Sequence, residues 1–271
     1  MPGTTLADEE ARRGGLRIGC AGWSLPRAHQ PAFAAEGSHL ERYAAGLSAV
    51  EINSSFYRPH RREVYQRWAE ATPTDFRFSV KLPKAITHEA KLGGIEAPLD
   101  RFLDEISGLG QRLGCLLVQL PPSLAFDHAV AAAFLALLRE RHAGGVALEP
   151  RHASWFAPEA DRLLADRAVA RVLADPVLHP GGEAPGGFSG LVYLRLHGSP
   201  RRYWSAYAPE WLERLSERLR RAMDREAAEC WCIFDNTAGG EAVGDALALS
   251  RALRRPRSST EPFSRATENP S

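Results

Sequence analysis

Residues 49–83 read AVEINSSFYRPHRREVYQRWAEATPTDFRFSVKLP. Two runs, AVEINSSFY from Ala49 and RFSVKLP from Arg77, bracket a stretch with helical periodicity. Each closes its C-terminal side on polar residues that a buried strand normally excludes. The unit recurs: RIGCAGWS from Arg17, CLLVQLPP from Cys115, GVALEPRH from Gly145, ARVLADP from Ala170, LVYLRLHG from Leu191 and ECWCIFDN from Glu229 complete a set of eight runs. Alternating β and α segments imply a parallel sheet. Eight repeats in a chain near the usual size of about 250 residues predict a closed, parallel, eight-stranded TIM-like (β/α)8 barrel. The competing architecture, an open doubly wound sheet, needs a Gly-rich phosphate turn after the first strand, and Gly19, Gly22 and Trp23 do not supply GxGxxG.

With 271 residues and 44% hydrophobic content the chain can bury one large core. A single barrel domain over 16–253 is expected, with residues 1–15 a flexible leader and 254–271 a disordered tail. A formal charge of +1 gives no global case for nucleic acid or an anionic membrane, so recognition of an anion must be local. No run approaches about 18 uninterrupted apolar residues, and the N-terminus lacks an apolar signal region; no membrane partner is expected and the cytoplasm is the expected address. Oligomeric state is left open. Cys230 and Cys232, at i and i+2, share a strand face and in principle present two thiolates together. Without a CxxC or a His-rich partner set, Cys20, Cys115, Cys230 and Cys232 are read as buried apolar side chains in a reducing compartment.

Amphipathic spacing predicts helices over Pro98–Leu113, Asp127–Arg141 and Pro209–Arg225, with Ser38 and Asp127 as N-caps and Pro209 in a first turn. Pro176–Gly190, PVLHPGGEAPGGFSG, is too rich in Gly and Pro for a helix, so the sixth helix is expected to be missing or very short. Pro83–Ala97 reads as a long loop on the mouth side, where long loops are usually functional or mobile.

In such barrels the site lies at the C-terminal strand ends. Period two places Glu51 with Asn53, Glu149 with Arg151 and Arg195 with His197 on common faces, while Lys81, Gln119 and the pair Asp235 and Asn236 end three further strands. Glu51–Lys81 and Glu149–Arg195 could be ion pairs that neutralise each other in a tight interior. The concentration of polar ends over six strands favours a ligand. Glu149 and Glu51 are the acid–base candidates, because aliphatic walls raise a carboxyl pKa toward neutrality while adjacent Arg or Lys lowers it. Lys81 suits an anion anchor or, if burial depresses its pKa, a Schiff base, the anchor being favoured. His197 and His152 are candidate proton shuttles. No cofactor is expected; Glu149, His152, His197 and Asp235 leave a divalent metal chemically open without diagnostic spacing. In the seventh loop, GSPRRYWSAYAPEW, Arg201 and Arg202 stand beside Tyr203, Trp204 and Tyr207, a match for an anion next to a ring, or else a lid. Backbone N–H groups of Ala238, Gly239 and Gly240 could add phosphate donors.

The stretch VEINSSFYRPHRREVYQRWAEATPTDFRFSVKLPKAITH, with LVQLPPS, ALEPRHASWF, YLRLHG and FDNTAGGEAV, resembles the YecE-like family, the domain of unknown function numbered seventy-two, from about Ile18 to Leu253. The resemblance implies a TIM-like barrel and no particular reaction. It places the family's characteristic residues on Glu51, Asn53, Phe56, Tyr57, Lys81, Thr87, His88, Gln119, Pro121, Glu149, Arg151, Trp155, Arg195, His197, Gly198, Tyr203, Tyr207, Asn236 and Gly239. Two departures matter. Pro150 stands where relatives carry an aromatic, which removes a ladder donor between Glu149 and Arg151 and implies a bend. Asp235 stands where relatives often carry Asn, which argues against an essential carboxylate there.

The functional expectation is an enzyme, a hydrolase, lyase or isomerase, acting on a small anionic metabolite, phosphorylated or sugar-like. Glu149, Glu51, Lys81 and His197 are the catalytic candidates. Asn53, Tyr57, His88, Gln119, Arg151, His152, Trp155, Arg195, Tyr203, Tyr207, Asp235 and Asn236 are the ligand-binding ones. The alternatives are a non-catalytic sensing barrel and, more remotely, a nucleic-acid processing enzyme; nucleic acid is not the expected partner, given the nearly neutral chain.

Overall fold

Ten strands form one sheet in the computed structural model, which describes residues 15–225 and 229–255. They are β1 (Leu16–Ala21), β2 (Ala49–Ile52), β3 (Arg77–Lys81), β4 (Leu113–Gln119), β5 (Gly145–Glu149), β6 (Ala170–Arg171), β7 (Leu173–Asp175), β8 (Gly186–Gly187), β9 (Leu191–Leu196) and β10 (Glu229–Phe234). Apart from Gly15, Arg254 and Arg255, the expected leader and tail lie outside the described residues. The sheet order is β7-β9-β10-β1-β2-β3-β4-β5-β6-β8, parallel except for the β6–β8 pair.

The two sides of this order nearly meet. Only Val172 separates β6 from β7 in the chain, yet β6 pairs with β5 and β7 with β9, giving a nearly closed barrel. The eight runs of the sequence thus correspond to nine of the ten strands. The sixth run changes partners at Val172, whose N–H goes to Leu148 O at 2.9 Å, and Gly186–Gly187 adds an antiparallel segment that composition did not reveal. Residues 176–190 otherwise trace turns and bends.

Strand alternation sorts side chains into two layers. Leu116 and Val118 of β4, Leu194 and Leu196 of β9, and Cys230, Cys232 and Phe234 of β10 join the apolar layer beneath the helices. Their neighbours Cys115, Leu117, Leu191, Tyr193, Trp231 and Ile233 pack inside the barrel. Cys230 and Cys232 do share a face, but it is the helix-covered one, and all four cysteines are buried and unpaired. Trp231 stacks on Tyr193 at 5.8 Å inside the barrel. Gly114 makes room for the indole, since a Cβ there would lie 2.5 Å from it.

The outer layer comprises α1 (His39–Gly46), α2 (Ser54–Tyr57), α3 (Arg62–Glu70), α4 (Glu96–Ile106), α5 (His128–Arg141), α6 (Pro158–Asp166), α7 (Pro209–Arg225) and α8 (Ala242–Arg254). Ser38 caps α1 through a capping box with Glu41, and the Asp127 carboxylate accepts from Val130 N–H at the start of α5. On α5, Ala131, Phe134, Leu135 and Leu138 are buried at the three-and-four spacing that predicted the helix. The helix expected over Pro98–Leu113 instead ends at Ile106. A 3-10 segment, Ser107–Arg112, replaces its last part and is kinked at Gly110, whose φ of 51° and ψ of −130° suit glycine. Pro83–Ala97 also differs from a plain loop. Ala85–Glu89 forms a π-helical turn, closed by Ala90 N–H to Ala85 O at 3.0 Å, which buries Ile86 and Thr87.

Candidate functional site at the barrel mouth

The inward parity set by Ala49, Cys115, Ala147, Tyr193 and Trp231 continues at the C-terminal ends onto Glu51, Lys81, Gln119, Glu149, Arg195, His197 and Asp235. Arg195 is their hub. Its Nε and Nη2 donate to Glu51 Oε2 and Oε1 at 3.0 and 2.7 Å, Nη1 to Glu149 Oε2 at 2.7 Å, and Nη2 also to Asp235 Oδ2 at 2.9 Å. The Tyr193 hydroxyl donates to Glu51 Oε2 at 2.9 Å and sits 2.8 Å from Ser79 Oγ. Gln119 Nε2 donates to Glu149 Oε2 at 3.1 Å, and Arg151 Nη2 lies 2.7 Å from Glu149 Oε1.

His197 lies between two carboxylates, Nδ1 3.1 Å from Asp235 Oδ2 and Nε2 3.3 Å from Glu149 Oε1. Ionised carboxylates only accept, so this position between two of them favours a ring that donates from both nitrogens. Burial favours the neutral ring, but the bonds to Asp235 and Glu149 outweigh it and raise the pKa. Burial likewise pushes the Glu149 carboxyl upward, yet Arg195, His197 and Arg151 together hold it well below the usual carboxylate range. Asp235 is lowered in the same way: burial opposes ionisation, and Arg195 and His197 overcome it. Of the two opposing influences that the sequence left open at Glu149, the neighbouring cations therefore win over desolvation. Its carboxylate is locked in a buried network in which the Coulomb gain and four partners offset desolvation. Glu51 pairs with Arg195 rather than with Lys81, while the Glu149–Arg195 pair forms as the sequence suggested.

Above this floor opens a cavity of about 460 Å³, lined by Asn53, Phe56, Tyr57, Lys81, His88, Gln119, Arg195, Tyr203 and Asp235. Lys81, 9% exposed, has no hydrogen-bond or ion-pair partner for its ammonium among the described residues; Nζ rests 4.1 Å from the Phe56 ring centroid. Burial, reinforced by Arg195, pulls its pKa down to about 8 against the opposing pull of Glu51, Glu149 and Asp235. The His88 ring packs edge-on against the same Phe56, and its Nδ1 lies 2.8 Å from Thr87 Oγ. Burial and the Lys81 charge lower the His88 pKa and so favour the uncharged ring. The π-helical turn is what delivers Thr87 and His88 here.

Five expected ligand residues serve the scaffold instead of lining the cavity. Arg151 pairs with Glu149. His152 caps the 3-10 turn Ala153–Phe156, accepting from Ser154 N–H. Trp155 Nε1 donates to Leu124 O beneath Phe126. The Tyr207 hydroxyl accepts from Gly198 N–H at 2.9 Å and donates to Asp175 Oδ1 at 2.9 Å. Asn236 Nδ2 donates to Ser205 O and to Asp245 Oδ2. The N–H groups proposed as phosphate donors are also taken: Ala238 and Gly239 donate to Tyr203 O and Gly240 to Thr237 O. For a metal, Arg195 already fills the space between Glu51, Glu149 and Asp235, and His152 points elsewhere; no cluster of three or more metal-ligating side chains occurs among the described residues. Phe56, under the Lys81 ammonium, and Tyr193, under Glu51, are the contributors that residue-by-residue reasoning left out of the site. Tyr193 was legible as the third member of the i, i+2, i+4 series with Arg195 and His197.

The model of the family described as protein of unknown function DUF72 matches residues 17–269. The chain belongs to the DUF72 family. It is 34% identical over 166 residues to the UPF0759 protein YecE of Escherichia coli K12, a match covering 59% of each chain, so it spans about three-fifths of that relative's length. With the UPF0759 protein YunF of Bacillus subtilis it shares 23% identity over 275 residues, covering 88% of this chain and 94% of YunF. Crystal structures of DUF72 proteins share the fold. One from Thermotoga maritima superposes with a TM-score of 0.73 at 26% identity, covering 89% of this chain and all of that one. One from Enterococcus faecalis gives 0.75 at 24% identity, covering 91% and 98%. No helix among the described residues is long and apolar enough to cross a membrane.

Proposed function

We propose that this DUF72 protein is an enzyme that takes a small anionic metabolite, phosphorylated or sugar-like, into the mouth cavity and acts on it by acid–base chemistry centred on Lys81. The observation that carries the reading is the unpartnered, largely buried Lys81 ammonium facing a cavity. In the floor, the three carboxylates of Glu51, Glu149 and Asp235 are matched by Arg195, Arg151 and the His197 imidazolium. Lys81 is the surplus charge, and an incoming anion would neutralise it. A lysine lowered to about 8 can exchange a proton near neutral pH, and uncharged His88 beside the same ring can receive it. Glu51, Glu149 and His197 then act by holding Arg195 and the local field. With every carboxylate of the floor bonded to Arg195, lyase or isomerase chemistry fits better than hydrolysis by a carboxylate-activated water.

Tyr203 gives a second reading some support. Its ring packs on His197, its N–H donates to His197 O, and its carbonyl receives the Ala238 and Gly239 N–H groups, so it forms a fixed cover suited to a non-catalytic binding barrel. We further read the architecture as a TIM-like (β/α)8 barrel over 16–253 whose sixth strand is split at Val172 and whose sixth helix is replaced by residues 176–190. We place the protein in the cytoplasm, a reading that four unpaired cysteines support.

Thermal-shift titration of the wild type and Lys81→Met with inorganic phosphate, pyruvate and fructose 6-phosphate tests the function. At least one anion should stabilise the wild type, by about 2.7 kcal/mol at a hundredfold excess over Kd, and leave Lys81→Met unmoved. A wild type indifferent to every anion would contradict the proposal, and binding without turnover on any bound compound would favour the second reading.

A further inference from the structure

We propose that Lys81 is a covalent nucleophile: its Nζ forms a Schiff base with a small anion that carries an aldehyde or ketone next to its carboxylate or phosphate. The proposal rests on the mouth being an anion site and adds the substrate class and the bond.

The chain contains only three lysines, Lys81, Lys84 and Lys91, against thirty-one arginines. Lys84 pairs with Glu89 at 3.0 Å on the surface, and Lys91 is exposed. Positive charge is thus supplied almost everywhere by arginine, while among the described residues the cation left unpaired over the cavity is a lysine. An anion needing only charge and hydrogen bonds would be held better by a guanidinium, which binds carboxylate and phosphate in two-bond fashion. What lysine offers and arginine does not is a nitrogen that loses its proton and attacks carbon.

The surroundings favour the free amine. Among the described residues no carboxylate pairs with the ammonium; Arg195 faces it from β9, Glu51 from β2, Glu149 from β5, Asp235 from the end of β10 and His88 from the π-helical turn. The Arg195 charge and burial outweigh the three carboxylates, which are bonded to Arg195. The Phe56 face, 4.1 Å away, can stabilise the cationic iminium as it does the ammonium.

In the forward step the unprotonated Nζ attacks the carbonyl carbon, and the carbonyl π pair takes a proton to give a neutral carbinolamine once nitrogen has released one. We assign that proton to His88, whose ring packs against the same Phe56 as the ammonium. Protonation of the new hydroxyl expels water as the nitrogen lone pair forms the C=N bond. The net change is amine plus carbonyl plus one proton giving iminium plus water, with no redox partner required.

Trapping tests it. The full chain is incubated with sodium cyanoborohydride and either pyruvate or glyceraldehyde 3-phosphate, and the adducts are located by peptide mass spectrometry. Modification is expected at Lys81 in preference to Lys84 and Lys91 by more than about tenfold, in line with the larger fraction of free amine that a lowered pKa gives. The rate should rise with pH to a midpoint near 8. The ratio of Lys81 to Lys84 and Lys91 labelling, which cancels the intrinsic difference between an aldehyde and a ketone, tells carboxylate from phosphate. Lys84→Arg/Lys91→Arg should label as fully as the wild type. Lys81→Arg, which keeps the charge, should not label beyond background, its folding being checked by circular dichroism. No Lys81 adduct with either probe, or label spread evenly over the three lysines, overturns the imine. If anions still raise the wild-type melting temperature in that case, the anion-site reading survives without it; if they do not, both fall.

Discussion

Arg195 and Glu51 meet through two hydrogen bonds, Nε to Oε2 at 3.0 Å and Nη2 to Oε1 at 2.7 Å, with the side chains 1% and 0% exposed. The residues belong to β9 and β2, which β10 and β1 separate in the sheet, so the pair spans the barrel interior. The same guanidinium reaches Glu149 on β5. One arginine therefore ties three strands together at the mouth.

Arg195→Met should accordingly destabilise the protein by about 3–5 kcal/mol, because Glu51, Glu149 and Asp235 are left buried without their shared cation. Equilibrium urea unfolding measures this, and a loss under about 1 kcal/mol would mean that the network does not carry the mouth.

Stability should fall on both sides of mildly acidic pH. Glu149 and Asp235 have folded pKa values below their unfolded ones, so their contribution is present above about pH 4–5 and is lost as pH drops toward the folded values. His197 is raised, so its contribution is full below about pH 6.5 and disappears as pH climbs through the folded value. Urea midpoints from pH 3 to 8 should show both limbs, and His197→Asn should remove the alkaline one.

Lys81→Met should stabilise the protein at pH 7, by on the order of 1–2 kcal/mol, while abolishing anion binding. A lysine whose folded pKa of about 8 lies under its unfolded value of 10.5 costs stability wherever the unfolded chain is more protonated. That cost is full below pH 8 and vanishes above 10.5, so the advantage of the variant should shrink as pH rises through this window. A variant less stable than the wild type at pH 7 would show that the ammonium has a counter-ion.

Gly198 and Gly22 both sit at φ 91°, but a Cβ on Gly198 would meet Ser205 O at 2.4 Å, whereas one on Gly22 meets nothing within 4 Å. Both Ala variants should lose about 1 kcal/mol to backbone strain, and Gly198→Ala should lose clearly more. It should also disturb Tyr203 over His197, which tryptophan and tyrosine fluorescence with melting curves would detect.

Much of the barrel was legible because its cause is local. Period-two alternation fixed which strand residues face inward, and caps such as Ser38 and Asp127 marked helix starts. The split at Val172 and the pairing of Gly186–Gly187 were not legible, since both depend on which partners the closing sheet offers. Glu51, Lys81, Glu149, Arg195 and His197 could be placed at the mouth from their strand ends. Who bonds to whom could not, because Arg195 reaches carboxylates 144 and 46 positions away in the chain. For the same reason Tyr207 and Asn236 look like ligand residues in sequence. Their partners Asp175 and Asp245 come from β7 and α8, and only the assembled barrel brings those to the loops. The π-helical turn carrying His88 escaped notice because its extra residue leaves no periodic trace.

Everything proposed for the mouth rests on Lys81 being a buried amine without a counter-ion. Competitive labelling of the native protein with trace acetic anhydride across pH 6–11, read at Lys81 by mass spectrometry, tests this most directly. A reactivity midpoint near 8 is expected; a midpoint above 10 would place a paired, permanently charged lysine at the cavity and contradict both the anion site and the chemistry built on it.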